Sequence, residues 1–137
     1  MTSINVPETI KDDNPIDSDD ASPLMIAVRN GDFKMFKYLL EHGTNVNDNN
    51  SRELMLLAAM YSRNYDDAKY LLNHGANINT YDEHGNTPLL IAITNGATDF
   101  IYYLIENGAS VYHMNNRGDT PITLAKTRLG INLNAHP

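Results

Sequence analysis

The feature that most constrains this chain is a short string that recurs at a nearly fixed interval. The segment DEHGNTPLLIA, residues 82–92, has counterparts in DSDDASPLMIA, which begins at residue 17, and in NNRGDTPITLA, which begins at residue 115. Anchored on Pro23, Met55, Pro88 and Pro121, the spacings are 32, 33 and 33 residues. A fixed period in this range predicts stacked supersecondary units, each of which covers its neighbour's apolar face.

Each unit carries the signals of two short helices joined by a break. In the third unit, Thr87 is suited to cap a helix that has Pro88 at its first position, where no backbone N–H is needed. The apolar run PLLIAI follows, then the break at Asn95-Gly96, and then TDFIYYLIEN, whose apolar residues recur at helical spacing. Gly108 suits the end of that second helix, and in the fourth unit Thr120 is suited to cap a single helix that Gly130 ends.

These residues resemble the ankyrin-repeat family over about residues 17–129. The matching features are the D-x-x-G-x-T-P-L opening, the L-L-x-x-G-A-x-x-N close, and an alanine four residues after each anchor: Ala27, Ala59, Ala92 and Ala125. The resemblance implies an all-α solenoid of helix-turn-helix units with hairpin-like loops, three full repeats plus a truncated fourth. It also implies small alanines where helices approach closely.

The repeat register sets the expected domain boundaries. We expect a disordered acidic N-terminal arm over residues 1–16, the ankyrin-repeat domain over 17–130 and a C-terminal tail over 131–137. Within the domain the repeats are predicted at 17–47, 48–79, 80–112 and 113–130. In the tail, Ile131 and Leu133 are expected to fold over the bare side of repeat 3.

Repeat 2 departs most from the pattern. Leu54-Met55 replaces Thr-Pro, Arg52 falls at the loop glycine position, and the preceding link is one residue shorter. Because a non-glycine residue at positive φ is uncommon, we predict a remodelled link in which Ser51 caps a helix that starts about one turn early. The alternative is neutral drift in one loop.

Two further positions differ from the family pattern. The histidine of the family's T-P-L-H motif is replaced in every repeat, so apolar contact is expected to take over from its hydrogen bond at the first three; the replacements are Met25, Leu57, Leu90 and Thr123. Tyrosines stand where an aliphatic residue is usual, and we expect their rings to pack as a ladder between repeats; they are Tyr38, Tyr70 and Tyr103. The alternative is a contact row on the outer helices.

Composition excludes several classes of function. The chain has no cysteine, which rules out disulfides and cysteine-based zinc or redox chemistry and fits a reducing, cytoplasmic setting. It has no apolar run of membrane-spanning length, so we expect no membrane association. The net charge is −7, of which residues 1–20 carry −5. A phosphate backbone would be repelled by that segment, so nucleic acid is not expected as a partner.

No catalytic, cofactor or metal site is predicted. His42 and His74 precede the helix-ending glycines, where a cation suits a helix C-terminus. Asp82, Glu83 and His84 form an acidic–imidazole cluster, which is read as solvated loop residues because no nucleophile is placed beside them.

The candidate partner-binding residues come from the family resemblance. Ankyrin proteins usually meet partners through loop tips and the exposed edge of the first helix of each repeat, which form a concave face. Carried onto this chain, those positions are Asp19, Arg29, Asn30, Glu53, Tyr61, Ser62, Tyr81, Glu83, His84, Asn86, Thr94, Asn95, Met114, Asn116, Arg117, Asp119 and Arg128. Tyr61, Tyr81, Met114 and the arginines stand out, since such side chains are enriched at the centres of interfaces.

The function predicted is a non-catalytic, monomeric module that binds a protein partner of unknown identity. One alternative is a dedicated inhibitor, such as an immunity or antitoxin-like protein that neutralises a basic effector, with the acidic arm steering association. A remote alternative is a hydrolytic enzyme that uses His84.

Overall fold

The computed structural model describes residues 23–42 and 50–135, which form three helix pairs followed by a single helix. Over these ranges the chain is all-α, as predicted, with no strand. The helices are α1 (Pro23–Asn30), α2 (Phe33–Glu41), α3 (Ser51–Tyr61), α4 (Tyr65–Asn73), α5 (Pro88–Asn95), α6 (Thr98–Glu106) and α7 (Pro121–Leu129), followed by a 3₁₀ helix (Leu133–Ala135). The predicted arm, 1–16, lies outside the described residues, as does Asp19.

The chain divides into two compact units, residues 1–51 and 52–137. In the first unit α1 and α2 pack against each other, and Leu24, Ala27 and Phe36 are buried. Asp32 caps α2, because its carboxylate accepts a hydrogen bond from the backbone N–H of Met35 at 3.0 Å. The part of this unit that the structure describes, residues 23–42, is therefore a packed helix pair.

The core of the second unit is centred on α5. Every residue from Pro88 to Ile93 is buried, and α5 packs against both its own partner α6 and the next repeat's α7. Burying one Leu or Ile side chain stabilises a fold by about 1.5–3 kcal/mol. Thr87 is buried as well, and its hydroxyl accepts from Leu90 N, so the predicted N-cap is confirmed.

The recurring alanine closes the first helix of each of the first three repeats. Its carbonyl oxygen accepts a hydrogen bond of 2.8–3.0 Å from the backbone N–H five residues later; the three alanines are Ala27, Ala59 and Ala92. The chain bends between these groups through a left-handed residue, which is Gly31 (φ 65°) in repeat 1 and Gly96 (φ 72°) in repeat 3. In repeat 2 the residue is Arg63 (φ 62°), so the bend is kept without glycine.

Repeats 2 and 3 are joined by polar and aromatic contacts. The Asn95 amide nitrogen donates to Met60 O at 3.0 Å and to the Tyr65 hydroxyl at 3.1 Å. The Arg63 guanidinium donates to Asn95 O at 3.1 Å. The rings of Tyr65 and Phe100 lie 4.9 Å apart. Asn95, predicted as a partner-binding residue, thus also holds two repeats together.

The predicted packing of Tyr38, Tyr70 and Tyr103 between repeats is seen at Tyr103, whose ring centroid lies 5.0 Å from Lys69 Nζ of repeat 2. Each ring stacks within its own helix, and the stacked pairs are Tyr38–His42, Tyr70–His74 and Phe100–Tyr103, with centroids 4.0, 4.0 and 5.1 Å apart. A residue one turn away along a helix is the nearest available partner, so stacking there needs no contact between repeats. The Nδ1 atoms of His42 and His74 lie 2.9 and 2.8 Å from the carbonyl oxygens of Tyr38 and Tyr70, which confirms their expected place at helix C-termini.

Repeat 4 ends the described fold. Helix α7 begins with a capping box between Thr120 and Thr123 and ends at Gly130 in the left-handed conformation, as predicted. Thr123 occupies the family's histidine position, and its hydroxyl accepts a hydrogen bond from the backbone N–H of Thr120 at 3.0 Å. The 3₁₀ helix packs against α7, and Leu133 is buried. The tail therefore packs on repeat 4, whereas the sequence analysis expected it to pack on repeat 3.

The start of α3 confirms part of the prediction for repeat 2. The helix begins at Ser51, four residues before Met55, and Arg52 lies inside it; the positive φ falls at Asn50 (64°). The prediction that Ser51 caps the helix is wrong. Ser51 is itself the first helical residue, and its buried hydroxyl has no hydrogen-bond partner among the described residues.

This burial predicts the effect of removing the hydroxyl. Ser51→Ala should leave the free energy of unfolding unchanged or raise it by up to about 1 kcal/mol, because an unpaired buried hydroxyl is destabilising. The control Thr87→Val keeps side-chain volume but removes a cap, and should cost about 1 kcal/mol. Urea unfolding measures both, and a loss for Ser51→Ala as large as that for Thr87→Val would restore Ser51 as the cap.

Candidate functional site

Two loop tips in the second unit are built in the same way, one repeat apart. In the first, Asp82 N donates to Asn86 O at 3.1 Å, and the Asp82 carboxylate accepts from the backbone N–H groups of His84 and Asn86, both at 2.9 Å. Asn115, 33 residues later, makes the corresponding contacts with Arg117 and Asp119 at 2.9–3.0 Å. Side-chain acceptors of this kind fix the backbone of a tight turn.

The two tips are in direct contact. Asn116 N donates to His84 O at 2.9 Å, and the Asn116 amide donates to Glu83 O at 3.0 Å. The Asn115 amide donates to the Asn86 side chain at 2.8 Å. These contacts place four predicted residues in one cluster; they are Glu83, His84, Asn86 and Asn116.

Gly85 makes this contact possible. It is buried with φ 81°, and a Cβ built on it would lie 3.0 Å from Asn115 Cα and 3.1 Å from Asn116 N. Gly118 has the same place in the next tip and a similar φ of 87°, but a Cβ there would meet nothing within 4 Å. The first tip therefore needs glycine for both conformation and space, and the second for conformation alone.

A groove of about 500 Å³ opens beside the tips and is called the tip groove below. It is lined by Tyr61, His84, Asn86, Thr94, Asn115, Asn116, Arg117, Asp119, Leu124 and Arg128. Eight of these ten residues are among the predicted binding positions, all except Asn115 and Leu124. Repeat register could have found both, because Asn115 corresponds to Asp82 and Leu124 corresponds to Ile91. Ile91 is buried in repeat 3, whereas Leu124 is half-buried.

Tyr61, at one wall of this groove, is linked to Asp82, which is not part of the lining. The Tyr61 hydroxyl donates to the Asp82 carboxylate. Partial burial and this hydrogen bond raise the pKa of the Tyr61 phenol, which keeps its proton at neutral pH. Burial also raises the pKa of the Asp82 carboxyl, but hydrogen bonds from Tyr61 and from the N–H groups of Asn86 and His84 outweigh it, so that pKa lies below its ordinary value.

Two exposed apolar side chains stand on the tips outside the groove lining. Tyr81 and Met114 occupy the same position in successive repeats and are 60% and 61% exposed. Tyr81 stacks on His113, with ring centroids 5.2 Å apart, and the His113 Nε2 atom lies 3.1 Å from Gly85 O. The tyrosine is therefore held in place by the same tip that Gly85 anchors.

The remaining predicted residues are dispersed. Arg29 and Asn30 are exposed at the end of α1 in the first unit, and Ser62 is exposed after α3. The Glu53 carboxylate accepts from Asn77 N at 2.7 Å, which fastens α3 to the link after α4. None of the four lines the tip groove.

The residues described give no sign of a metal centre or a membrane span. Over 23–42 and 50–135, no three His, Asp or Glu side chains are grouped so that they could hold a metal ion. No helix in the same ranges is long and apolar enough to cross a membrane. His84, the residue named for a hydrolytic alternative, is exposed to solvent, and its Nε2 atom lies 3.7 Å from the carboxylate of the exposed Glu83.

The glycine contact predicts unequal costs for the same substitution at two tips. Gly118→Ala should lower the free energy of unfolding by about 1–2 kcal/mol, the cost of a left-handed alanine. Gly85→Ala should cost clearly more, by about a further 1–3 kcal/mol, because backbone atoms of the next tip must move. Urea unfolding of both variants checks this, and equal costs would mean that the tips do not press on each other.

The lowered pKa of Asp82 predicts an acid-sensitive contribution to stability. Asp82→Asn keeps one acceptor oxygen, as Asn115 does, but cannot ionise. The wild type should be the more stable near neutral pH, since a depressed pKa stabilises the fold above the ordinary value of about 4. That advantage should disappear as pH falls through the lowered pKa.

Urea midpoints at several pH values and constant ionic strength give the comparison. The difference between wild type and Asp82→Asn should be small, because the site is open to solvent. Tyr61→Phe removes one of the three hydrogen bonds and should give an intermediate profile. A difference that does not change with pH would contradict the assignment.

A family comparison agrees with this repeated architecture. A family model described as ankyrin repeats (3 copies) matches residues 6–82 and 56–131, which together cover most of the chain. The first match starts inside the segment predicted as the arm, so the boundary at residue 17 stays a prediction. A search of curated proteins found no match. Ankyrin repeats are generally protein–protein interaction modules and are typically non-enzymatic. The helix pairs, their 32- to 33-residue period and this match lead to one conclusion: the chain belongs to the ankyrin-repeat family.

Proposed function

We propose that this chain is a non-catalytic module that binds a protein partner through the tip groove and the adjoining side chains of Tyr81 and Met114. The observation that carries the proposal is the coincidence of a groove with exposed anchors. Tyr61, at 51% exposure, lines the groove, and Tyr81 and Met114 stand on the tips beside it. Aromatic, Met and Arg side chains account for a large share of the binding free energy in known interfaces.

The rigidity of the tips supports the same proposal. Each turn is held by side-chain hydrogen bonds, and the two turns are joined through Asn115 and Asn116. Association is opposed by the entropy of ordering loops and side chains, so a surface that is already ordered loses less free energy on binding. A flexible loop carrying the same residues would bind more weakly.

The two other functions raised by the sequence remain sequence predictions. The inhibitor alternative depends on charge in residues 1–20, which the structure does not describe, and no described contact favours it. The hydrolytic alternative gains nothing from His84, whose neighbours are backbone groups of the adjoining tip and the exposed Glu83. We further propose a cytoplasmic location, for which the cysteine-free composition is the supporting observation; the monomeric state stays a prediction from the sequence.

Removal of the rings of Tyr61 and Tyr81 should strongly reduce partner capture. The wild type, the double variant Tyr61→Ala/Tyr81→Ala and the control Tyr112→Ala are immobilised and exposed to native lysate, and captured proteins are identified by mass spectrometry. Tyr112 is 72% exposed and does not line the groove, so its variant removes an equal ring from a different place. Circular dichroism verifies that all three are folded.

A protein captured by wild type and Tyr112→Ala should bind the double variant at least about tenfold more weakly, as expected for the loss of two anchors. Calorimetry on the purified pair gives the dissociation constants. Equal affinity of the double variant for every captured protein would place the binding surface elsewhere.

A further inference from the structure

We infer that the tip groove recognises a peptide segment of its partner that carries an acidic side chain, seated against Arg117 and Arg128. This inference rests on the proposed function and adds the chemistry of the partner. Both arginines line the groove and both are exposed. Among residues 23–42 and 50–135, neither guanidinium has a hydrogen-bond or ion-pair partner.

The charge of the groove is opposite in sign to that of the chain. The lining holds two guanidiniums and one carboxylate, Asp119, which leaves a net charge of +1 with His84 neutral. The whole chain carries −7. A positive groove on an acidic protein selects for an anionic group at that one place, because the rest of the surface disfavours it.

The nearby acidic residues are not paired with the two guanidiniums. The Asp82 carboxylate is already engaged by the Tyr61 hydroxyl and by two backbone N–H groups. The Glu83 side chain is almost fully exposed and its nearest ionisable partner is His84, at 3.7 Å. Arg117 and Arg128 therefore remain available to a ligand, and guanidinium groups match carboxylate oxygens in a planar, two-point geometry.

The net charge of the lining matches a carboxylate better than a phosphate. A phosphorylated side chain carries about −1.5 to −2 at neutral pH, which exceeds the +1 of the lining, whereas a glutamate carries −1. A net charge of +1 in the lining is neutralised by one carboxylate. We therefore assign the anion as the side chain of Asp or Glu.

The apolar part of the lining specifies a neighbour for that acidic residue. Leu124 and the Tyr61 ring lie in the same lining as the arginines. A bound segment would place an aliphatic or aromatic side chain against them, next to the residue that meets the guanidiniums. The recognised sequence is thus a short motif that pairs one acidic residue with one apolar residue.

Selection from random peptides tests this chemistry without knowledge of the natural partner. A phage library of random peptides about twelve residues long is selected on the folded full chain, and the selected peptides are synthesised. Their dissociation constants are measured by fluorescence anisotropy against wild type, Arg128→Gln, Arg117→Gln/Arg128→Gln and Lys126→Gln. Lys126 is an exposed cation on the same helix as Arg128 and does not line the groove, so it controls for loss of charge alone.

Selected peptides should be enriched in Asp or Glu beside an apolar residue. Arg128→Gln should weaken them about two- to fivefold, the range of one solvent-accessible ion pair, and the double variant by about tenfold. Lys126→Gln should change affinity less than twofold. Peptides in which the acidic residue becomes Asn or Gln should bind wild type as weakly as they bind the double variant.

Three outcomes would overturn the inference. Peptides whose binding falls in Tyr61→Ala/Tyr81→Ala but is equal for wild type and the double arginine variant would refute it and leave the proposed function standing. Tighter binding of a phosphoserine version than of the glutamate version would refute the assignment to a carboxylate. Failure to select any peptide that responds to the tyrosine or the arginine variants would remove the groove as a binding site, and the proposed function with it.

Discussion

The structure depends on the burial of helices that are too short to stand alone. The α-helices in residues 23–42 and 50–135 have eight to eleven residues each, and isolated helices of that length are at most marginally stable in water. Helix α5 shows how the chain meets this constraint, because its run from Pro88 to Ile93 is buried between α6 and the next repeat's α7. Within residues 52–135, each repeat is thus stabilised by its neighbour, and the loops that join the helices inherit a fixed spacing.

That spacing brings the chemistry of the tips together. Asp82 and Asn115 fold two successive loops into the same turn, and Gly85 lets the second loop lie against the first. The contact between the tips uses backbone groups and short amide side chains. The longer side chains nearby therefore take no part in it and lie at the surface. Tyr61, Arg117 and Arg128 are of this kind, and they line a groove whose local charge is positive although the chain as a whole is acidic.

Features fixed by local backbone chemistry could be predicted from the sequence. Thr87 and Thr120 were placed as caps, and Gly130 as a helix end, because a cap needs only the residue and its position. Most of the groove lining followed from the resemblance to ankyrin repeats, through the positions at which that family usually meets its partners. Features that depend on competing contacts were missed. Ser51 is the first residue of its helix instead of its cap, and the tyrosine rings stack on side chains one turn away along the same helix. The left-handed conformation of Arg63 was not predicted, although the repeat register places Arg63 where repeats 1 and 3 have Gly31 and Gly96.

Native-state hydrogen exchange, followed residue by residue by NMR, tests the central claim most directly. If neighbouring repeats hold each other in place, amides of α5 should exchange only through opening of the whole second unit. The backbone amides of Gly85 and Asn116 are hydrogen-bonded within the tips, so they should then exchange far more slowly than the amides of a free loop. Exchange of α5 through local openings, faster than the global unfolding of the unit allows, together with unprotected tip amides, would mean that the repeats open independently and that the groove is not preformed.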